Sequence, residues 1–297
     1  MGEVVYGTSS WSEASWSGSF YPDGLPQRDW LRHYSRRLAT VEADVTWYRV
    51  PTRAMVEGWN RKTPDDFLLS AKFPRAIVHG GQGPQPDTSL ILDPDKVGTD
   101  AEAFLGAMAE LGPKCGPLVL QFPYFNKRAF SSVDPFLLRL DRFLNWLPER
   151  FRYAVEIRNS QWISPPLLDV LRDHDAALVW TDMSYMPHPA ELAEQMDLVT
   201  SDFVYCRLIG DRKALDALTR SFERVVLPRQ DRLMRWAELL SAVQERVTRA
   251  YVYANNHYEG HAPGTVASLM KLMGADSQRR LLLGEDNPEL PFGSGQE

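Results

Sequence analysis

Eight short β-prone runs alternate with longer stretches of helical periodicity along this chain. Alternation of this kind is typical of parallel strands joined by helical crossovers, and eight repeats favour a closed barrel. We therefore predict an α/β protein built as a single (β/α)8 TIM-type barrel. The strands are predicted at residues 4–10, 40–47, 66–73, 117–122, 152–158, 177–182, 203–209 and 249–255, and the helices at 28–38, 53–61, 99–111, 133–147, 165–174, 229–246 and 264–273.

The length of 297 residues would suit two average domains, but barrels of this type reach ~250 residues as one domain. The composition shows no linker, so we predict one barrel domain over residues 1–283 and a frayed polar tail over 284–297. An open doubly wound sheet is the alternative, which the lack of a G-x-G-x-x-G motif after the first strand disfavours. Long connections at 74–98 and 183–202, the second with a short helix at 190–196, are predicted as lids or as surface decoration.

Charge and cysteine content narrow the class of protein. The formal net charge of −6 argues against nucleic-acid binding through bulk charge, so a nucleic-acid partner is disfavoured but left open. The two cysteines, Cys115 and Cys206, are too few for a disulfide framework. The sequence has no apolar run long enough for a membrane span and no secretory signal pattern at its first residues. We predict a cytoplasmic protein without membrane contact.

Charged residues occupy strand positions that alternate toward the predicted barrel interior. Burying an ion there costs several kcal/mol unless it is paired. Most of these residues lie near the carboxyl ends of strands, where barrel enzymes carry their active sites, so they predict a polar pocket for a charged or heavily hydroxylated ligand. The alternative is an ion network that satisfies itself and binds nothing. The residues are Glu42, Asp44, Lys72, Glu156, Arg158, Asp182 and Arg207.

Three of these side chains, Glu156, Lys72 and Asp182, are predicted to be catalytic. Glu156 is the first candidate for a general acid or base, because burial would raise its pKa while a neighbouring cation would lower it. An ion pair between Glu156 and Arg158 is the alternative. Lys72 would bind an anion, assist proton transfer or form a Schiff base, and anion binding is favoured. Substrate binding is predicted for Trp11, Glu42, Asp44, Gln121, Arg158, Arg207, Asn255, Asn256 and His257.

No cofactor is predicted from the sequence, and no residue is assigned as a metal ligand. A divalent metal stays open, because carboxylates and an imidazole are suitable ligands. The signal is weak, since the sequence lacks an H-E-x-x-H motif. Ligands for such a metal would come from Glu42, Asp44, Glu156, Asp182 and His257.

Seven segments of the sequence carry a resemblance to a known family. They are GTSSW at 7–11, WSGSFYP at 16–22, TVE through WY at 40–48, AKFPRAIVH at 71–79, GPLVLQFP at 116–123, AVEIR at 154–158 with Trp162, and NNHYEGHAP at 255–263. With these segments the chain resembles the YecE-like family, catalogued as domain of unknown function 72, over residues 4 to 275. The resemblance implies a TIM barrel and no established reaction. It also implies that the family pattern includes Lys72, Gln121, Glu156, Arg158, Asn255 and Asn256.

The sequence departs from that family pattern at two places. The family usually has Asn-Ser where this chain has Asp44 and Val45, and Gly where it has Ser10. Asp44 adds a negative charge to the predicted mouth, which would either create a metal ligand or weaken an anion site. The ligand type therefore does not transfer from the family to this chain.

Together these patterns predict an enzyme of hydrolase or isomerase type that acts on a small polar substrate, either phosphorylated or sugar-like. The pocket would lie at the carboxyl-terminal mouth of the barrel, with Glu156 as acid or base and Lys72, Arg158 and Arg207 holding negative charge. A non-catalytic ligand-binding barrel is one alternative. A metal-dependent phosphoesterase that acts on nucleic acid is the other.

Overall fold

Eight parallel strands and the helices between them form the core of the computed structural model, which describes residues 1–81, 83 and 85–284. The sheet order is β1-β8-β7-β6-β5-β4-β3-β2, so β1 and β2 are the two strands that meet where the barrel closes. The predicted (β/α)8 barrel is confirmed. The strands are β1 Glu3–Thr8, β2 Thr40–Ala43, β3 Leu68–Lys72, β4 Cys115–Gln121, β5 Tyr153–Glu156, β6 Ala177–Met183, β7 Phe203–Gly210 and β8 Arg249–Ala254.

The helices surround this barrel, and none of those in the described residues is long and apolar enough to cross a membrane. The principal helices cover their apolar faces against the strands, which is how an amphipathic helix becomes stable in a fold of this class. They are α1 Trp30–Tyr34, α2 Arg53–Lys62, α3 Pro94–Met108, α4 Asp134–Trp146, α5 Pro165–Asp173, α6 Pro189–Ala193, α7 Arg212–Asp216, α8 Gln230–Val243, α9 Asn256–Glu259, α10 Ala262–Leu272 and α11 Asp276–Leu283.

The second strand is shorter than predicted, ending at Ala43 rather than at residue 47, because Asp44–Trp47 form a 3-10 turn. Thr46 explains the change. Its hydroxyl accepts a hydrogen bond from the Lys72 amide at 3.0 Å and donates to the Lys72 carbonyl at 2.8 Å. A side chain thus occupies the backbone groups of β3 that a longer β2 would have paired with. Asp44 is therefore a turn residue at the barrel mouth and not a strand residue.

Other predicted bounds also change. The strand predicted at 152–158 ends at Glu156, and α3 begins at Pro94 rather than at 99 because Asp93 caps it by accepting from the Asp95 amide at 3.2 Å. Helices α7, α9 and α11 were not predicted; Asp211 and Asn255 cap the first two. Of the predicted frayed tail, residues 285–297 lie outside the described residues.

The seam between β1 and β2 is bridged by a side chain. The Thr8 amide donates to the Tyr34 hydroxyl at 2.8 Å, and that hydroxyl donates to the Thr40 carbonyl at 3.0 Å. Gly7 permits this close approach, since a Cβ atom at that position would lie 2.2 Å from the Thr40 carbonyl oxygen. The barrel therefore closes through a tyrosine hydroxyl and a glycine.

The lower barrel interior is filled by apolar side chains and tyrosines, in the layered manner of this fold. The Tyr253 hydroxyl lies 2.7 Å from Thr40 Oγ1 and 2.8 Å from Ser70 Oγ, which satisfies it within the core. This plug lies below the charged residues that face the mouth. It consists of Val5, Val119, Ala154, Ala177, Val179, Phe203, Tyr205, Tyr251 and Tyr253.

Candidate functional site

Six charged side chains meet inside the barrel near its carboxyl-terminal end, and we call them the interior charge cluster. Lys72 and Glu156 are the last residues of β3 and β5, and Gln121, the last residue of β4, lies beside them. The strands bring these positions together because their carboxyl ends share one rim. The cluster consists of Glu42, Asp44, Lys72, Glu156, Arg158 and Arg207.

Arg207 on β7 is the centre of the cluster and is buried. Its Nη2 donates to Glu42 Oε1 at 2.8 Å, and its Nη1 donates to Gln121 Oε1 at 2.9 Å and to Glu156 Oε2. The planar guanidinium thereby links three other strands across the interior, an arrangement that a point charge such as lysine could not make. The other oxygen of Glu42, Oε2, accepts a hydrogen bond from the Tyr205 hydroxyl at 2.8 Å, so both oxygens of this carboxylate have partners.

Glu156 is fully buried but remains ionised. Burial alone would raise its pKa, and the guanidiniums of Arg207 and Arg158, with the ammonium of Lys72, outweigh that effect and lower the pKa to about 2. Burial likewise opposes the charge of Arg207, and Glu156 and Glu42 outweigh it, so the pKa of Arg207 is raised. Both groups are therefore charged at neutral pH, and Glu156 is not a proton donor there.

The exposure of the cluster increases toward the mouth. The Glu42 and Glu156 side chains are fully buried, whereas 25% of the Arg158 side chain and 42% of the Asp44 side chain are exposed. Lys72 Nζ connects the buried and the exposed parts of the cluster, since it lies 3.3 Å from Glu42 Oε1 and contacts Asp44 Oδ1. Arg158 Nε donates to Glu156 Oε1 at 2.9 Å, so the predicted Glu156–Arg158 pair is present.

Asp182 does not point into the barrel, which corrects the prediction that it joins the interior charges. Strand alternation turns Val179 and Thr181 inward, so Asp182 faces the helices outside β6. There it accepts from Arg232 Nε at 3.1 Å, Trp236 Nε1 at 3.0 Å and the Tyr258 hydroxyl at 2.7 Å. Burial raises its pKa, but Arg232 and Tyr258 outweigh burial and the pKa is lowered. These contacts tie β6 to α8 and α9.

The residues predicted after β8 lie at the rim, where they organise loops. Asn255 Oδ1 accepts from the His257 amide at 3.0 Å, and Asn256 Oδ1 accepts from Trp16 Nε1 at 3.1 Å and from the Ala262 amide at 3.0 Å. These bonds join the loop after β1 to α9 and α10.

Two further predicted ligand-binding residues also contact protein groups at this rim. His257 Nε2 lies 3.4 Å from Asp216 Oδ1, and burial, only partly opposed by Asp216, lowers the His257 pKa. Trp11 is half-buried and packs edge-on against Trp59 with ring centroids 5.6 Å apart. Neither side chain is part of the interior charge cluster.

The ligands proposed for a divalent metal are divided between separate places in the fold. Glu42, Asp44 and Glu156 belong to the interior charge cluster, where cations separate them, while Asp182 and His257 lie outside it. Within residues 1–81, 83 and 85–284, no three His, Cys, Asp or Glu side chains converge to hold a metal ion.

Several polar residues of the interior or of its outer layer are not among the predicted site residues. Ser9 and Thr181 follow the inward alternation of β1 and β6, so strand periodicity alone is enough to place their hydroxyls inside the barrel. His188, which lies 3.5 Å from Asp182 Oδ2, comes from the loop before α6 and gives no periodic signal. Asp216, the partner of His257, is not predicted either, because it belongs to α7, a helix that the sequence pattern does not indicate.

Comparison with known proteins gives a consistent match. A family model described as "Protein of unknown function DUF72" matches residues 5–290. The protein named UPF0759 protein YecE of Escherichia coli K12 is 30% identical over 162 residues, which cover 54% of this chain and 50% of that protein. UPF0759 protein YunF of Bacillus subtilis 168 is 23% identical over 174 residues, 56% of this chain and 54% of that protein. The matched part thus spans about half the length of these curated relatives.

Two solved structures of similar proteins share the fold. A DUF72 family protein of Thermotoga maritima has a TM-score of 0.67 and 23% sequence identity, covering 92% of this chain and 99% of that one. A DUF72 family protein of Enterococcus faecalis has a TM-score of 0.67 and 19% identity, covering 92% and 98%. At these identities the likeness concerns the barrel and not its chemistry.

Proposed function

The chain belongs to the DUF72 family of proteins of unknown function, and from that premise we propose that it is an enzyme of hydrolase or isomerase type. Its substrate is a small polar molecule, anionic or sugar-like, bound at the carboxyl-terminal mouth of the barrel. The observation that carries this proposal is the gradient of exposure within the interior charge cluster, from buried Glu42 and Glu156 to Asp44, whose side chain is 42% exposed.

The buried half of the cluster supports a functional role, because burying charged groups costs more free energy than filling the barrel with apolar side chains. Moving a carboxylate or guanidinium from water into a protein costs several kcal/mol, and well-packed apolar residues often serve stability equally well. Here Glu42, Glu156 and Arg207 are all buried at the end of the barrel where enzymes of this fold react their substrates. Charges kept at such a place favour a site that must orient polar groups.

Asp44 is the general base in this proposal. Proton transfer requires a side chain within about 3 Å of the substrate, and the Asp44 carboxylate is exposed at the mouth while Glu156 is not. The Lys72 ammonium contacts the Asp44 carboxylate, which holds that side chain at the mouth. Glu156 then serves as the fixed anion that holds Arg158 and Arg207 in place, which revises its predicted role as acid or base.

Arg158 and Gln121 supply substrate contacts. Arg158 uses Nε for Glu156, and within the described residues its two terminal nitrogens make no hydrogen bond, so they are available to a ligand at the mouth. Gln121 is half-buried in the same region, and its side-chain oxygen accepts a hydrogen bond from Arg207. Its amide nitrogen can therefore donate to a ligand. This set of donors suits hydroxyl, carbonyl or carboxylate oxygens.

A non-catalytic ligand-binding barrel is the second candidate. It is favoured by the low pKa of Glu156, about 2, and by the ion pairs that engage every charge of the cluster. A network of this kind can hold a ligand without taking or giving a proton. The two candidates differ in turnover, not in binding.

The test begins with a screen of sugars, sugar phosphates and small carboxylates for thermal stabilisation, followed by NMR detection of product with each compound that binds. Asp44→Asn is expected to bind the same compound and to lose turnover by roughly a hundredfold or more. Arg158→Gln is expected to weaken binding. Lys72 keeps its contact with Glu42 in Asp44→Asn, so the variant should fold.

Matched controls use exposed residues outside the mouth. Asp65→Asn precedes β3, and Arg150→Gln precedes β5, both at the amino-terminal end of the barrel. Neither change should affect binding or turnover. Full turnover in Asp44→Asn would contradict the enzyme mechanism, and binding without turnover in the unchanged protein would favour the second candidate.

A further inference from the structure

Three buried polar atoms face the upper barrel interior without a hydrogen-bond partner among the described residues. They are Ser9 Oγ, which follows β1, Thr181 Oγ1 on β6 and Arg207 Nε on β7. Their residues are at most 6% exposed. Thr181 and Arg207 are register partners on adjacent strands, so their free groups are neighbours. Buried polar groups in native proteins almost always have a partner, so these atoms require one from a ligand or a bound water.

Alternation places these atoms on the inner face of the barrel. Thr8 turns outward, with its hydroxyl beside the Tyr34 hydroxyl of α1, so its neighbour Ser9 turns inward. Trp180 turns outward as well, because its indole nitrogen points to the Leu198 carbonyl at 3.4 Å, which directs Thr181 to the interior. The hydroxyls of Ser9 and Thr181 therefore lie on the same inner face of the barrel as Arg207.

The charges of the interior charge cluster already balance one another. Three carboxylates, those of Glu42, Asp44 and Glu156, pair with the three cations of Lys72, Arg158 and Arg207. A phosphate or carboxylate entering the cluster would find the charge of each cation already balanced by a carboxylate, and it would face three fixed anions. Displacing a buried carboxylate from its partner would leave a buried charge unpaired, which is strongly unfavourable.

We propose that the substrate of this site is an uncharged polyhydroxylated small molecule, a free sugar or polyol, and not its phosphorylated or carboxylated derivative. The inference rests on the proposed function, since it specifies the ligand of the same mouth. Hydroxyl groups both donate and accept, so they can satisfy the free hydroxyls of Ser9 and Thr181 and the Nε–H of Arg207 without changing the charge balance. At the mouth, the partly exposed Arg158 can donate to a substrate hydroxyl and the partly exposed Asp44 can accept from one.

The experiment compares uncharged sugars with charged derivatives that keep the same ring: D-glucose with D-glucose 6-phosphate and D-glucuronate, and D-ribose with D-ribose 5-phosphate. Affinities are measured by ligand-observed NMR and calorimetry on the full chain. The uncharged member of at least one set should bind about tenfold more tightly than its charged partners.

Two variants connect that affinity to the free hydroxyls. Ser9→Ala and Thr181→Val each remove one hydroxyl that has no partner in the described residues, so thermal stability should be retained. Each should weaken the binding of the uncharged sugar by about three- to tenfold, the usual effect of one hydrogen bond. Ser241→Ala, an exposed change on α8, is the control and should leave affinity unchanged.

The outcomes separate this inference from the proposed function. Tighter binding of the phosphate or carboxylate, with turnover, would overturn the uncharged substrate and leave the enzyme proposal standing. Binding of the uncharged sugar without conversion would support the substrate class and contradict the enzyme. Failure of every uncharged member to bind, or unchanged affinity in both hydroxyl variants, would overturn the inference.

Discussion

Arg207 on β7 donates a hydrogen bond to Glu42 on β2 across the barrel interior, with 2.8 Å between Nη2 and Oε1. The two strands are not neighbours in the sheet, so this bond spans the barrel rather than following its wall. Glu156 on β5 binds the other side of the same guanidinium. The interior of the mouth is therefore held by one arginine between two carboxylates, and its stability depends on all three.

Replacing Arg207 with methionine should destabilise the protein strongly. The variant would leave Glu42 and Glu156 buried without their shared counter-ion, and breaking a buried pair in this way costs about 3–5 kcal/mol. The free energy of unfolding from urea denaturation measures the loss. Arg246→Met is the control, because its ion pair with Asp197 is about half exposed on both sides and should contribute at most about 1 kcal/mol. Equal effects in the two variants would contradict this view of the interior.

Tyr34→Phe should weaken the seam of the barrel. The change removes the hydroxyl that accepts from the Thr8 amide and donates to the Thr40 carbonyl, so two backbone groups lose a buried partner. A loss of about 1–3 kcal/mol in unfolding free energy is expected, with faster hydrogen exchange at the Thr8 amide. Tyr48→Phe removes an exposed hydroxyl and should change neither quantity. Unchanged exchange at Thr8 would show that the hydroxyl does not close the seam.

Two glycine-to-alanine substitutions should act in opposite directions. A Cβ at Gly7 would lie 2.2 Å from the Thr40 carbonyl oxygen, so Gly7→Ala forces β1 and β2 apart and should cost about 1–3 kcal/mol. Gly58 lies within α2, where the nearest side-chain atom is 4.0 Å from the added Cβ. Gly58→Ala should stabilise the protein by roughly 0.5–1 kcal/mol, because alanine favours a helix interior. Thermal denaturation of both variants tests the pair.

Acid should destabilise the protein partly through His188. Burial lowers its pKa to about 4, only partly opposed by Asp182, whereas an unfolded histidine titrates near about 6.5. Between these values the unfolded chain binds the proton more readily, so the contribution of His188 is complete above pH 6.5 and is lost as the pH falls through 4.

The variant His188→Asn isolates this contribution. Asparagine can still cap α6, as His188 Nδ1 does by accepting from the Ala190 amide at 3.1 Å. The decrease in unfolding free energy from pH 7 to pH 5 should be smaller in the variant. It should not vanish, because burial also lowers the pKa of His33 and His261 to about 4. An unchanged pH dependence would contradict the assignment.

The barrel itself could be predicted from sequence because each strand and helix repeats a local pattern. The predicted bounds differ from the structure where the hydrogen bonds of a single side chain decide the backbone conformation. Thr46 ends β2 by binding the backbone of Lys72, a contact that no window around residue 46 contains. Asp211 and Asn255 begin short helices through single capping bonds, which periodicity cannot detect in so few residues.

The interior charges were also readable, since Glu42, Lys72, Glu156 and Arg207 follow strand alternation into the barrel. Asp182 shows the limit of that reasoning. Its place at a strand end suggested the interior, but alternation from Val179 and Thr181 turns it outward to Arg232. The pairing of Glu42 with Arg207 could not be predicted, because it depends on how the closed barrel places β2 across the interior from β7.

The central claim is that substrate binds among Asp44, Gln121 and Arg158 at the carboxyl-terminal mouth. The most direct measurement is a crystal structure of the full chain with a sugar that passes the binding screen. We expect sugar oxygens within hydrogen-bond distance of Asp44 and Arg158. A cavity of about 690 Å³ lies at the opposite end of the barrel, lined by residues such as Arg150, Arg152 and Asp175. A sugar bound there, with the mouth empty, would contradict the account.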